Sequence, residues 1–144
     1  MGLGPPAVAH GPAPAFRMSH GDPLRLESVL VRHPRLRIYV MHAGWPRADE
    51  MIALMHAFPQ VHVDIGPLSW YLPQTGFYGF LERLVDAGLA RRIMFGSDQM
   101  VWPDAIGRAI ETLEAAPFLT EDQRRDIMCR NAMRFLRLPS DVCD

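Results

Sequence analysis

Two unbroken apolar runs in this chain each end abruptly in a polar side chain. Arg37-Ile38-Tyr39-Val40-Met41-His42 stops at an imidazole, and Ile93-Met94-Phe95-Gly96-Ser97-Asp98 stops at a carboxylate. Runs of this length without alternation predict strands buried on both faces of a parallel sheet. Val61-His62-Val63-Asp64-Ile65 alternates instead, and predicts a strand halted by Gly66-Pro67. Ala7-Val8-Ala9-His10 predicts a short first strand, followed by a proline-rich loop over residues 11–21.

Between the strands the apolar period becomes that of helices. Asp22-Pro23 reads as N-cap and first-turn proline of a helix to about Arg32, with Leu26, Val29 and Leu30 on its stripe. Met51, Leu54, Met55 and Phe58 form one face of a helix over residues 48–58. A loop carrying Trp70, Tyr71 and Pro73 leads to a helix that presents Phe77, Phe80, Leu81 and Leu84. Gly88 occupies the left-handed position past its end. Ile106, Ala109, Ile110 and Leu113 mark a helix from about Pro103. Thr120-Glu121-Asp122-Gln123 is a capping box for a last helix to about Leu136, whose buried side is Met128, Ala132, Phe135 and Leu136. The order β-α-β-α-β-α-β-α-α predicts one α/β domain over residues 1–144, with four parallel strands and flanking helices. No Gly-x-Gly-x-x-Gly follows the first strand, which argues against a dinucleotide fold.

Composition narrows the function. The chain has 144 residues, 49% hydrophobic and 22% charged, so a packed core is expected. A formal net charge of −1 leaves no electrostatic footprint for nucleic acid or an anionic membrane. No apolar stretch approaches the roughly 20 residues of a membrane span. Residues 1–14 lack the charged flank and apolar stretch of a signal peptide. Cys129 and Cys143 are too few and too near the C-terminus for a disulfide framework, so a cytoplasmic, reduced protein is expected.

His10, His42, Ile65 and Asp98 mark four successive strand ends on one edge of the sheet, where barrel enzymes keep their chemistry. Zinc accepts imidazole nitrogen and carboxylate oxygen, and its catalytic sites use three protein ligands plus an open position. The plainer assignments are a half-buried structural histidine for His42 and a cap or turn for Asp98. His62 and Asp64 are assigned to structure, His20, His33 and His56 to solvent, and Arg91-Arg92 to a solvated pair. Trp45, Trp70, Tyr71 and Trp102 follow strand ends, where aromatics wall a pocket for a planar substrate or simply pack on helices. The nine methionines read as core filler.

His42-Ala43-Gly44, Phe95-Gly96-Ser97-Asp98 and Arg130-Asn131-Ala132-x-x-Phe135-Leu136 resemble, in that order, the amidohydrolase-2 branch of the amidohydrolase superfamily. Asp22-Pro23-Leu24-x-Leu26-Glu27 and His33-Pro34-x-Leu36 look like the same family. The resemblance covers the chain from His10 onward. It implies a TIM-type (β/α)8 barrel with a divalent metal, usually zinc, at the C-terminal strand ends. A full barrel needs about 250 residues, so the chain matches its C-terminal half, strands five to eight. By the match His10 and Asp98 are metal ligands, while His42 assists the metal or acts on substrate. Asp98 and His42 are then the catalytic pair, and His42, Trp45 and Trp102 the candidate substrate contacts. The family's first-strand His-x-His has no counterpart before His10.

The implied activity is metal-dependent hydrolysis or non-oxidative decarboxylation of a small organic substrate, in a truncated chain. The alternative is an inactive half-barrel that self-associates as a homodimer, since its sheet edges and interior are left uncovered. Metal-dependent phosphodiesterases of the DNase type share the barrel logic, but resemble this chain less around Gly-Ser-Asp.

Overall fold

In a computed structural model, residues 18–100, 102–139 and 143 are described. The first of the four expected strands, residues 7–10, lies outside them, as does most of the loop over residues 11–21. A single 3-10 turn, Met18–Gly21, occupies the end of that loop. Asp22 caps as expected: its carboxylate accepts the Leu24 N–H at 3.0 Å, opening a 3-10 turn over Pro23–Leu26 that continues as α1 (Glu27–Arg32).

The chain then runs through β1 (Ile38–Val40), α2 (Ala48–Ala57), β2 (Val61–Asp64), α3 (Leu68–Tyr71), α4 (Gln74–Asp86) and β3 (Ile93–Met94). It closes with α5 (Ala105–Glu114), α6 (Glu121–Arg125), a π-helical turn (Asp126–Arg130) and α7 (Asn131–Leu136). The described sheet has three parallel strands in the order β1-β2-β3, not four. Trp70 and Tyr71, expected in a loop, sit on the helical turn α3.

Two strands are shorter than their apolar runs. β1 pairs only with β2 among the described residues, and Tyr39 is 48% exposed rather than buried on both faces. β3 ends after Met94 because the Phe95 N–H leaves the sheet and donates to the Ile127 carbonyl at 2.8 Å. An apolar run reports burial; strand length also requires a neighbour to bond.

Pleat alternation divides the sheet into two faces. Val61, Val63 and Ile93 pack with Met51, Leu54 and Met55 of α2 and Phe77, Leu81 and Leu84 of α4 in one buried core. Tyr39 and His62, paired in register, point the other way. There the Phe135 ring of α7 meets them, with centroids 5.8 and 4.9 Å away. The second face is therefore partly covered by the chain's own C-terminal helix, where a bare half-interior was expected. The α4 stripe is buried as its period predicts, and Gly88, at φ +76°, closes that helix with Gly88 N–H to Val85 O and Leu89 N–H to Leu84 O, a Schellman motif.

The Thr120–Gln123 capping box forms, but the helix it opens is interrupted. The π turn inserts a residue and rotates the buried stripe onto Ile127, Asn131 and Met133, leaving Leu136 60% exposed. Ile106 is likewise exposed, and Ala105 takes its place in the α5 stripe. Arg92 is not solvated: its Nη1 donates to the carbonyls of Met55, Phe58 and Val61. Burial lowers its pKa from the ordinary arginine value. The fully buried Asn131 donates to Ala90 O at 2.8 Å and Ile93 O at 2.6 Å. Cys129 and Cys143 form a disulfide, correcting the expectation of reduced thiols; two cysteines suffice because Cys143 lies against the π turn. Among the described residues no helix is long and apolar enough to cross a membrane.

Candidate functional site

The C-terminal ends of the three strands bring His42 and Asp98 together. His42 Nε2 lies 3.6 Å from Asp98 Oδ2, with both side chains about one third exposed. His10, the third residue of the expected set, lies outside the described residues.

How the pair is held begins with the backbone. After β1, His42, Ala43 and Gly44 take φ of +57°, +49° and +65°, three successive left-handed residues of which two carry a Cβ. Left-handed residues other than glycine cost of order 1–3 kcal/mol each, and persist where the surroundings over-determine them. Here Ala43 and Gly44 are buried, and Trp45 N–H donates to His42 O at 2.9 Å. The His42 N–H donates to Asp64 Oδ1 at 3.1 Å, and that oxygen also accepts Gly66 N–H at 3.1 Å. Asp98 is left-handed too, at φ +49°. Both members of the pair thus leave their strands through strained, braced turns that aim their side chains at each other.

The ring orientation follows from one contact. His42 Nδ1 is hydrogen-bonded to the Gly66 carbonyl, which can only accept, so Nδ1 carries the proton. In the neutral ring Nε2 then presents a lone pair toward the Asp98 carboxylate. Two electron-rich groups this close call for a positive charge between them, a proton or a cation. Two ligands about 2.1 Å from a tetrahedral centre stand about 3.4 Å apart. The observed 3.6 Å matches that bite, and a histidine whose other nitrogen binds a backbone carbonyl is the arrangement metal sites use. The pair therefore fits two positions of a divalent cation. Among the described residues no group of three His, Cys, Asp or Glu could hold one, so any third donor lies elsewhere.

Asp64 was assigned to structure from the alternation of its strand. It braces the His42 backbone, and burial is the main cause that raises its pKa above the ordinary aspartate value, with the Asp98 carboxylate adding to the rise. Its signal in the sequence was its place at a strand end level with the other two. Gly66, whose carbonyl accepts from the His42 ring, had no signal in the sequence for that part. A Cβ there would sit 2.7 Å from Gly96 C and 2.8 Å from Ser97 N, so the exits of β2 and β3 touch backbone to backbone. His62 packs against Phe135 near Arg37, Arg92 and Arg134 rather than joining the pair. His20, His33 and His56 are exposed.

Of the tryptophans, Trp45 follows the His42 turn and is 41% exposed. Trp102 lies edge-on to Trp70 at 5.7 Å, and the Trp70 indole donates to Ser97 O at 2.5 Å, one residue before Asp98.

Comparison with known proteins adds three findings. The amidohydrolase family profile matches residues 2–138. A TIM-barrel protein from Bordetella bronchiseptica, itself uncharacterized, superposes with a TM-score of 0.69 at 23% identity, covering 84% of this chain. The match spans 41% of that protein's length. No curated protein matches this sequence.

Proposed function

Because the chain belongs to the amidohydrolase-2 family, we propose that it is the strand-five-to-eight half of a metal-dependent hydrolase or non-oxidative decarboxylase. Its substrate in this reading is a small organic molecule, and neither nucleic acid nor a membrane surface takes part. The observation that carries the reading is the His42–Asp98 pair, with Nε2 and Oδ2 3.6 Å apart and Nδ1 committed to Gly66 O. His42 and Asp98 would hold the cation, with His10 as the further donor that the motif resemblance implies. When bound, zinc, the metal that suits imidazole and carboxylate, supplies Lewis acidity and acidifies a water molecule.

The chain's own groups have distinct parts. Asp98 takes or gives the proton at Oδ2, a role that suits a partly exposed carboxylate at the rim. His42 presents a single nitrogen, because its other N–H is spent on the Gly66 carbonyl. Trp45 and Trp102 flank the substrate. Zinc content and turnover of the protein should fall together in His42→Ala and Asp98→Ala. Undiminished values in both variants would remove these residues from their roles.

A second reading, an inactive homodimer, is favoured by β1, which pairs on one edge only among the described residues and leaves Tyr39 48% and Met41 56% exposed. Light scattering at micromolar concentration decides it, a monodisperse monomer being the refuting result. The cytoplasmic assignment requires the Cys129–Cys143 bond to be open in the cell, since a glutathione-buffered compartment keeps thiols reduced. Alkylation before lysis should label both cysteines, and labelling of neither would refute it.

A further inference from the structure

Asp98 is a left-handed residue four positions beyond the end of the two-residue strand β3. Phe95 N–H has already left the sheet for Ile127 O, and from Gly96 to Asp98 the chain runs outside the ladder. From another element the Trp70 indole reaches it, its Nε1–H donating to the Ser97 carbonyl at 2.5 Å. We infer that Trp70 is a positioning residue: it holds the Ser97 carbonyl, and through that peptide sets the Asp98 carboxylate at its distance from His42.

Three features support this. Trp70 is itself fixed, edge-on to Tyr71 at 6.5 Å and to Trp102 at 5.7 Å, on the turn α3 that packs against α5. The peptide that Trp70 holds is the one whose rotation would change the φ of Asp98, because Ser97 C=O and Asp98 N–H share one plane. Gly66 also backs against Gly96 C and Ser97 N, so the segment is held by a glycine contact and an indole bond together. Releasing the indole removes one of those two restraints, and a left-handed aspartate then relaxes toward an unstrained conformation. The indole ring also lies within the aromatic group beside the pair, so its N–H and its ring have separable roles.

The inference rests on the proposed cation role of His42 and Asp98, so its test separates the two. Zinc alone, and cobalt(II) as its spectroscopic stand-in, are titrated into the full chain, into Trp70→Phe, which keeps a ring and loses the donor, and into Asp98→Ala. Wild-type binding that Asp98→Ala abolishes supports the underlying reading. With that in place, Trp70→Phe should bind about tenfold more weakly, the loss of one hydrogen bond at about 1.4 kcal/mol per decade. Its cobalt d–d bands should shift, which a distant packing role would not cause. Affinity within twofold of wild type and unchanged bands would overturn the inference while leaving the reading intact. Wild type and Asp98→Ala binding alike would overturn both. Independently of any variant's folding, indole N–H exchange is read on the three tryptophans of the wild-type chain. The Trp70 proton should exchange more slowly than that of exposed Trp45, and equal rates would overturn the bond on which the inference stands.

Discussion

Gly66→Ala tests the geometry of the strand exits most directly. The added Cβ would lie 2.7 Å from Gly96 C, 2.8 Å from Ser97 N and 3.0 Å from Gly96 O, where ordinary contact begins at 3.4 Å. The shortfall is about 0.7 Å at the worst contact, on a steep repulsive wall. All three opposing atoms are backbone, so no side-chain rotation relieves the clash. Overpacking of this kind costs about 1–3 kcal/mol, and the chain must open the gap between the exits of β2 and β3. Gly66 also accepts from His42 Nδ1 and donates to Asp64 Oδ1, so the shift should propagate into the His42–Asp98 distance. Urea unfolding followed by circular dichroism measures the first effect, and zinc titration the second. Gly79→Ala is the control, because that position lies inside α4 with nothing within 4 Å of an added Cβ. It should gain about 0.5–1 kcal/mol from helix propensity. A Gly66→Ala midpoint equal to wild type, with zinc affinity intact, would refute the backbone contact and the coupling drawn from it.

Other outcomes follow from the same structure. Asn131→Ala should lose about 1–3 kcal/mol in the same unfolding assay, because it removes two hydrogen bonds at a fully buried site, although the Ala90 carbonyl keeps the Ile93 N–H. A loss under 1 kcal/mol would contradict that. Thr120→Ala removes half of a formed capping box and should cost about 1 kcal/mol. Burial is the main cause that lowers the pKa of His62, with Arg92, Arg37 and Arg134 adding to it. A depressed histidine contributes stability above its unfolded value near 6.5 that is lost as pH falls through the folded value. Unfolding midpoints should therefore drop below about pH 6.5, and His62→Gln should flatten that dependence; an unchanged slope in the variant would assign the drop to other groups.

Much of the molecule is legible without coordinates. The stripes of α2 and α4, the Asp22 cap, the Thr120 box and the Gly88 terminator are all local. Each is decided within one or two turns of chain by period, capping chemistry or a positive φ, and so each is present in the sequence as a pattern. The parallel order of strands followed from their alternation with helices. The motifs around His42, Asp98 and Asn131 carried the family.

Tertiary structure alone decided the rest, because it depends on what lies across space. β3 stops at two residues because Ile127, far along the chain, takes the Phe95 N–H. Arg92 is drawn inward by three carbonyls from α2 and its flank, a destination no neighbouring residue announces. The π turn moved the last buried stripe by a residue that periodicity could not anticipate. At the site, the sequence nominated the donors, while Gly66, 24 residues from His42, oriented the ring, and Trp70, 27 residues from Ser97, grips the strand exit. Side-chain identity specifies which atoms can donate; only the packed backbone specifies where they point.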